Sequence, residues 1–213
     1  PLGSNRYNDH YTIGNQFNGT FTADADITPW LKANVTSTVN WGSTLYHHYD
    51  NALYGPKVSI NGELTKYQST GFRTNNVQTL TYYDTFGLHN INVLAGHEYY
   101  NTNTYYLEAV GQGLFSPDIQ EINAAAKKAN AKSYKSGYNV EGFFASAQYN
   151  YAEKYMFSAI MRADGSSIFA PGKRWGYFPS VSAGWTISNE GFFKDNVSRD
   201  LVSFLKLRGS WGI

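Results

Sequence analysis

Alternation of apolar and polar side chains is the feature that most limits what this chain can fold into. In the segment Tyr177–Ser188, YFPSVSAGWTIS, one set of alternate positions is apolar and the other is mostly small and polar. Successive side chains of a β-strand point to opposite faces, so the segment predicts a strand with one apolar face. Such a strand suits a half-buried position in a soluble sandwich, and it equally suits a wall between lipid and a wet interior.

The same two-residue period recurs along the chain and predicts three hairpins. Their turns are expected at Thr28-Pro29-Trp30, at Gly87-Leu88-His89 and at Ala152-Glu153-Lys154. Two more strands are expected at 177–188 and near 204–213, joined by a helical connection through 189–200. The sequence therefore predicts an all-β fold of about eight antiparallel up-and-down strands, whose outermost strands, 12–27 and 204–213, lack a partner on one side.

Long connections are expected between the hairpins, at 46–75, 107–137 and 165–176. The second is predicted to hold a short helix that Ser116-Pro117-Asp118 opens and several lysines close. Short turns at one end and long loops at the other are typical of an outer-membrane β-barrel. A Greek-key sandwich mixes long and short connections less regularly, so the rhythm favours a barrel while leaving a sandwich open.

Composition excludes several classes of protein. The 213 residues carry a formal net charge of +1 with scattered lysines and arginines, which argues against nucleic-acid binding. No run approaches the roughly 20 apolar residues of a membrane helix. Cysteine is absent, which excludes disulfides and thiol chemistry. Charged residues make up only 15% of the chain and aromatic residues 17%, a balance that suits strands with interfacial aromatics better than a charged soluble surface.

Several aromatic residues fall near the predicted strand ends. In a barrel they would form the girdles at the two membrane interfaces, although aromatic residues favour strands in any case. The residues predicted for the girdles are Trp30, Tyr151, Tyr155, Trp175, Tyr177 and Trp211.

The cluster Tyr46-His47-His48-Tyr49-Asp50 offers the most tempting site chemistry. Adjacent histidines in a strand point to opposite faces, so they rarely ligate one ion together, and no metal or cofactor is predicted. Contact with a sugar or peptide substrate is the better hypothesis, because aromatic rings and polar tips are suited to such ligands. The candidate substrate-contact residues are Trp41, Tyr46, His48, Tyr49, Tyr105 and Tyr106.

Other groupings of chemically active residues are better explained by structure than by catalysis. Asp24 and Asp26 share a polar face near a turn, where solvated charge is expected. His97 and Glu98 are neighbours in a strand and diverge, while Arg162 and Asp164 share a face and are expected to pair. No pair of carboxylates at catalytic separation and no nucleophile elbow is present, so the chain is not predicted to be an enzyme.

Several specific sequence motifs are more informative than the alternation of apolar and polar residues. Between Tyr155 and Ser188 the chain reads Arg162-Ala163-Asp164-Gly165-Ser166-Ser167, then Phe169-Ala170-Pro171-Gly172, then Trp175-Gly176-Tyr177-Phe178-Pro179-Ser180. Leu205–Gly212, LKLRGSWG, and His89–Glu98, HNINVLAGHE, add to these. Together they closely resemble the barrel region of the SusC/RagA family of TonB-dependent outer-membrane transporters.

That resemblance implies nutrient import, of glycans or peptides, across the outer membrane of Bacteroidetes-type bacteria. Members of the family have a plug domain inside a barrel of about 22 strands. They pair with a SusD-like surface lipoprotein and are powered through TonB. The implied partners are therefore a SusD-like lipoprotein, TonB, outer-membrane lipid and an oligosaccharide or peptide.

The chain also departs from the family pattern. Pro1–Ser4 reads as an expression-tag remnant, and residues 5–213 read as a partial barrel with no plug and no TonB box. Eight strands cannot close a barrel of the family's diameter, so the fragment alone is not expected to transport. A soluble β-sheet binding or antigenic module, meeting a partner through long loops, stays open as the alternative.

Overall fold

The computed structural model describes residues 7–196 and 202–213; the predicted tag remnant Pro1–Ser4 lies outside them. Eight β-strands and one short helix, α1, account for most of the described chain. The strands are β1 Asp9–Thr28, β2 Leu31–Asp50, β3 Glu63–Phe86, β4 His89–Leu114, β5 Ala125–Tyr151, β6 Tyr155–Ser166, β7 Trp175–Thr186 and β8 Lys206–Gly212. Helix α1 is Gly191–Asn196, and three 3₁₀ turns lie at Val58–Ile60, Ile122–Ala124 and Ile187–Asn189.

The strands form one sheet in the order β1-β2-β3-β4-β5-β6-β7-β8, so each pairs with its neighbours in the chain. The predicted all-β, up-and-down fold is confirmed, with β1 and β8 at the two edges. All three predicted hairpin turns are also present, between β1 and β2, β3 and β4, and β5 and β6. In the last of these, Ala152 and Glu153 have φ angles of 54° and 56°, the left-handed backbone conformation that tight hairpin turns use.

Strand pairing is antiparallel and regular from β5 to β8. Tyr151 lies opposite Tyr155 across the tight turn, Ala159 lies opposite Val181, and Val181 lies opposite Trp211. Because directly opposed residues share a face, this register gathers apolar side chains on one side of β6, β7 and β8.

The connections at the long-loop end are shorter than predicted, and the predicted loop helix is wrong. β2 runs to Asp50 and β3 already starts at Glu63, while β4 reaches Leu114 and β5 starts at Ala125. The segment expected to be helical holds only the turn Ile122–Ala124 before it enters β5. The physical reason is that Lys132 pairs with Glu108 of β4 and the nearby Tyr134 stacks on Tyr106 of β4, and these contacts across the sheet outweigh the local helix propensity. The helical connection expected at 189–200 is confirmed by α1 as far as Asn196; the rest lies in the part that the structure leaves undescribed.

The chain divides into two compact units. One contains the start of β1 up to Gly19 with Val39–Thr74 and Asn101–Tyr138. It holds a small buried cluster of Tyr49, Leu64 and Leu114, against which Ile122 packs.

The second unit contains Thr20–Thr38, Asn75–Tyr100 and Asn139–Ile213. Its apolar side chains are largely uncovered: the exposed fraction is 54% for Phe157, 51% for Val181 and 60% for Trp211. A sheet that leaves large apolar residues uncovered marks a surface that meets something other than water. Among the described residues, no helix has the length and apolar character needed to cross a membrane.

Candidate functional site

The sheet has a polar face and an apolar face, and alternate residues of each strand supply them. On β6 and β7 the polar face carries Ser158 and Ser182, whose hydroxyls lie 2.7 Å apart. The apolar face carries Phe157 and Ala183, which lie opposite each other in the register. The alternation predicted for 177–188 is thus confirmed over β7.

An ion-pair clasp on the polar face joins β4 to β6. The Arg162 guanidinium donates through Nε to both Asp164 oxygens at 2.8 Å and through an Nη to Glu98 at 2.7 Å. It also lies over the Phe144 ring, 5.4 Å from its centroid. The predicted pairing of Arg162 with Asp164 is confirmed, and Glu98 adds the link to another strand.

Two glycines make room for the clasp. A Cβ built on Gly142 would stand 2.6 Å from an Asp164 oxygen and 2.9 Å from an Arg162 nitrogen. A Cβ on Gly96 would stand 2.3 Å from the Phe144 ring. The strands therefore keep glycine where bulky or charged neighbours press against the backbone.

A row of four tyrosines forms the most distinctive surface of the first unit. Tyr46 stacks on Tyr67 with ring centroids 4.6 Å apart, Tyr67 on Tyr106 at 5.4 Å, and Tyr106 on Tyr134 at 5.0 Å. Each ring comes from a different strand, β2 to β5 in order. Tyr46, Tyr67, Tyr106 and Tyr134 are called the tyrosine row below.

Charged groups hold one ring of the tyrosine row in place. The Tyr106 hydroxyl donates to Glu108, and this bond raises the pKa of Tyr106 to about 12. The same bond, with a further one from Lys132 at 3.0 Å, lowers the pKa of Glu108. Lys132 also lies 5.7 Å from the Tyr106 ring centroid. The row therefore combines ring surface with a phenol, a carboxylate and an ammonium, which suits recognition of a polar ligand with apolar patches.

The predicted substrate-contact residues separate into groups. Tyr46, His48 and Tyr106 come together on the polar face: Tyr46 stacks on His48 as well as Tyr67, and its hydroxyl lies 2.8 Å from His48 Nδ1. Tyr49 is only 1% exposed and packs in the buried cluster.

Trp41 and Tyr105 occupy alternate positions that belong to the other face. Tyr105 lies next to Tyr106 in β4 and therefore points away from it. Its ring is 56% exposed and lies 5.0 Å from the Lys135 ammonium, while Trp41 is 38% exposed. Sequence reasoning missed Tyr67 and Tyr134, since nothing in the sequence gives the register that places them beside Tyr106.

The two adjacent histidines diverge as predicted. His47 is 3% exposed, stacks on Tyr11 and lies 2.6 Å from the Gln120 amide oxygen. His48 instead lies beside Asp50. The predicted divergence of His97 and Glu98 holds too, since His97 contacts Gln78 and Glu141 while Glu98 binds Arg162.

The predicted girdle residues lie at strand ends or on the uncovered apolar face. Tyr151 stacks on Tyr155 at the short turn, and Trp30 contacts Tyr82 edge-on. At the opposite ends of β6 and β7, Trp175 stacks on Phe143. The exposed fractions are 45% for Trp30, 38% for Tyr155, 45% for Trp175, 62% for Tyr177 and 60% for Trp211.

The carboxylate of Glu190 anchors the connection that follows β7. It accepts hydrogen bonds from Lys154 at 2.8 Å, Tyr155 at 2.6 Å and Trp185 at 3.1 Å. These donors, Lys154 foremost, lower the pKa of Glu190 to about 2. Glu190 therefore fastens the short turn of β5 and β6 to the segment that leads into α1.

Comparisons with known proteins give a consistent picture. The TonB-dependent receptor P26 of Formosa agariphila is 27% identical over all of this chain, which spans 22% of that receptor. The TonB-dependent receptor SusC of Bacteroides thetaiotaomicron is 32% identical over 78% of the chain and 15% of that receptor. The solved RagAB peptide transporter superposes on 97% of the chain with a TM-score of 0.86 at 20% identity, over 23% of the transporter chain. No family model matches the chain. The chain spans less than a quarter of the length of these relatives.

Proposed function

Because this chain belongs to the TonB-dependent receptors of the SusC/RagA type, we propose that it forms part of the barrel wall of an outer-membrane nutrient importer. The observation that carries the proposal is the two-faced sheet. Its polar face is lined by hydroxyls and ion pairs, and its apolar face is uncovered. A wall between lipid and a wet interior needs this division.

The dimensions of β6 and β7 support the membrane assignment. Each strand has 12 residues, and a tilted strand needs about 9–11 to cross the hydrocarbon layer. Tyr151 and Tyr155 lie at one end of this span and Trp175 at the other. We assign these residues, with Trp30, Tyr177 and Trp211, to the interfacial girdles.

The tyrosine row is the proposed substrate contact. Tyr46, Tyr67, Tyr106 and Tyr134 with His48 offer rings, hydroxyls and an imidazole, which suit an oligosaccharide or a peptide. The RagAB relative is a peptide transporter, which favours peptides as the first ligands to test. In the complete receptor the partners would be a SusD-like lipoprotein and TonB, and the 213-residue fragment alone would not transport.

A pair of neighbouring tyrosines provides the test of substrate contact. Peptide and oligosaccharide libraries are titrated against the chain in detergent micelles by calorimetry. Tyr106→Ala is expected to weaken binding of a library ligand at least tenfold, because truncation of a central aromatic contact typically weakens binding by this much. Tyr105→Ala, its matched control on the other face, is expected to leave binding within twofold. Equal effects of the two substitutions would remove the tyrosine row from the proposal.

The membrane part of the proposal has its own test. In vesicles of lipids brominated along the acyl chain, Trp211 fluorescence is expected to be quenched, and Trp211→Phe should remove that part of the quenching. An unquenched Trp211 would favour the alternative, a soluble binding or antigenic module.

A further inference from the structure

Two imidazoles and one carboxylate converge on the polar face of the first unit. His10 stands near the start of β1, and His48 and Asp50 share a face at the end of β2. His48 Nε2 lies 3.2 Å from one Asp50 oxygen, and His10 Nε2 lies 3.8 Å from the other. The two imidazole rings stack with centroids 3.6 Å apart, and one ligand atom from each of the three residues lies within 4.8 Å of the others.

These separations are close to those of a metal centre. Ligand atoms at 2.0–2.1 Å from a tetrahedral zinc ion are about 3.3 Å apart. The His48–Asp50 separation of 3.2 Å matches this value, and the His10–Asp50 separation of 3.8 Å is longer. Binding of an ion would therefore draw the His10 nitrogen inward and open the stack of the two rings. Two imidazole nitrogens and one carboxylate oxygen are a donor set that binds first-row divalent ions and leaves a fourth position open.

Neighbouring groups orient two of the three ligands. The Tyr46 hydroxyl lies 2.8 Å from His48 Nδ1, so the ring presents Nε2 toward Asp50. The Asn8 amide donates to an Asp50 oxygen at 2.9 Å, and Asn8 is itself held by the backbone N–H of Asn51 at 2.9 Å. Hydrogen bonds of this kind to the far side of a ligand are what hold metal-binding histidines and carboxylates in position.

The charge at the cluster favours a cation. Among the described residues, the ion-pair partners of Asp50 are the two imidazoles alone. No lysine or arginine among the described residues pairs with the Asp50 carboxylate. The Asp50 side chain is only 19% exposed, so water compensates this charge incompletely. A divalent ion would supply the missing positive charge.

We propose that His10, His48 and Asp50 bind a divalent transition-metal ion, with Zn²⁺ the best match to the ligand set. The ion ties the start of β1 to the end of β2. It also fixes His48, which contacts Tyr46 at the end of the tyrosine row. His47, the neighbour of His48 in the chain, does not belong to the site, because it points to the opposite face and stacks on Tyr11.

Calorimetric titration of the 213-residue chain with ZnCl₂ in detergent tests the site. One equivalent of zinc is expected to bind, and His10→Ala, His48→Ala and Asp50→Asn are each expected to weaken binding at least tenfold. Tyr46→Phe keeps the ring and removes the hydroxyl that orients His48, so it is expected to weaken zinc binding about tenfold.

His97→Gln is the matched control, since His97 also lies 3.2 Å from a carboxylate, that of Glu141, but belongs to no three-ligand cluster among the described residues. It should leave zinc affinity within twofold. Circular dichroism checks that each variant keeps its strand content. X-ray absorption at the zinc edge should count two imidazole nitrogens. No zinc binding by the folded wild-type chain, or equal loss in His97→Gln and His48→Ala, would overturn the proposal.

Discussion

Replacing Arg162 by methionine should destabilise the sheet by about 3 kcal/mol. The guanidinium makes three short hydrogen bonds to two carboxylates, and each charged bond contributes about 1.5–3 kcal/mol when well shielded. The Arg162 side chain is 36% exposed, which weakens these contributions by solvent screening. Methionine would also leave Glu98 and Asp164 facing each other without a cation, which adds repulsion. The expected loss is therefore about 2–4 kcal/mol.

Urea unfolding in detergent micelles, followed by tryptophan fluorescence, measures the change. Arg174→Met is the matched control, because Arg174 is exposed and its guanidinium donates a hydrogen bond of 3.1 Å to the Phe169 carbonyl and makes no ion pair among the described residues. Its effect should stay within about 0.5 kcal/mol. Adding Glu98→Gln and Asp164→Asn to Arg162→Met removes the repelling charges and should recover at least half of the loss. A loss below about 0.5 kcal/mol for Arg162→Met, or no recovery in the triple variant, would refute the reasoning.

Two further predictions follow from close contacts and from charge. Gly137→Ala should lower the free energy of unfolding by about 1–3 kcal/mol, because the added Cβ would stand 2.4 Å from the Thr102 carbonyl oxygen. Gly71 has open space around it, so Gly71→Ala is the control and should be neutral or stabilising in the same urea assay. Glu190 has a lowered pKa of about 2 because Lys154 and other donors bind its carboxylate, so its contribution to stability is present above its unfolded pKa of about 4.3 and is lost as the pH falls toward 2. The stability difference between the wild-type chain and Glu190→Gln should shrink over that range, and a difference that does not change with pH would contradict the assignment.

Much of the fold could be predicted because its signals are local. The period of two marks a strand wherever one face is apolar, and it does so clearly at Trp175–Thr186. Pro29 and Gly87 mark two of the turns with residues whose backbone preferences suit them. The faces follow from the same period, which is why the divergence of His47 and His48 was predictable.

The parts of β2 to β5 next to the connections 51–62 and 115–124 were not predicted as strands, because no local signal in the sequence marks them. The segment AAAKKANAK at 124–132 is rich in alanine and lysine, which favour helix when nothing competes. In the structure it is mostly strand, and Lys132 and Tyr134 find their partners on β4. Contacts between distant segments decided the structure here, and a single sequence does not reveal them.

The candidate sites depended on register in the same way. Tyr106 and His48 were identified from residue type alone, but their partners Tyr67, Tyr134 and His10 come from other strands. A shift of one residue in any strand would turn these side chains to the opposite face. Knowledge of the strand pairing was therefore necessary to assemble either site.

Residues 162–167, one of the motifs that carry the family resemblance, make contacts with other residues of the sheet. Arg162 and Asp164 bind each other and Glu98. A Cβ on Gly165 would stand 2.8 Å from the Trp175 ring, so the motif keeps glycine there for close approach. Ser167 exchanges two hydrogen bonds of 2.9 Å with the backbone of Asn139, one of them through its hydroxyl.

These contacts explain why the most recognisable part of the sequence is silent about substrate. Residues 162–167 join strands to one another, and a sheet of this kind needs these contacts whatever ligand it meets. The tyrosine row draws its rings from β2 to β5, where the family resemblance in the sequence is weaker outside His89–Glu98. If the proposed substrate contact is correct, exchanges of residues in the tyrosine row should change ligand preference, while exchanges within 162–167 should change stability and leave ligand preference unaltered.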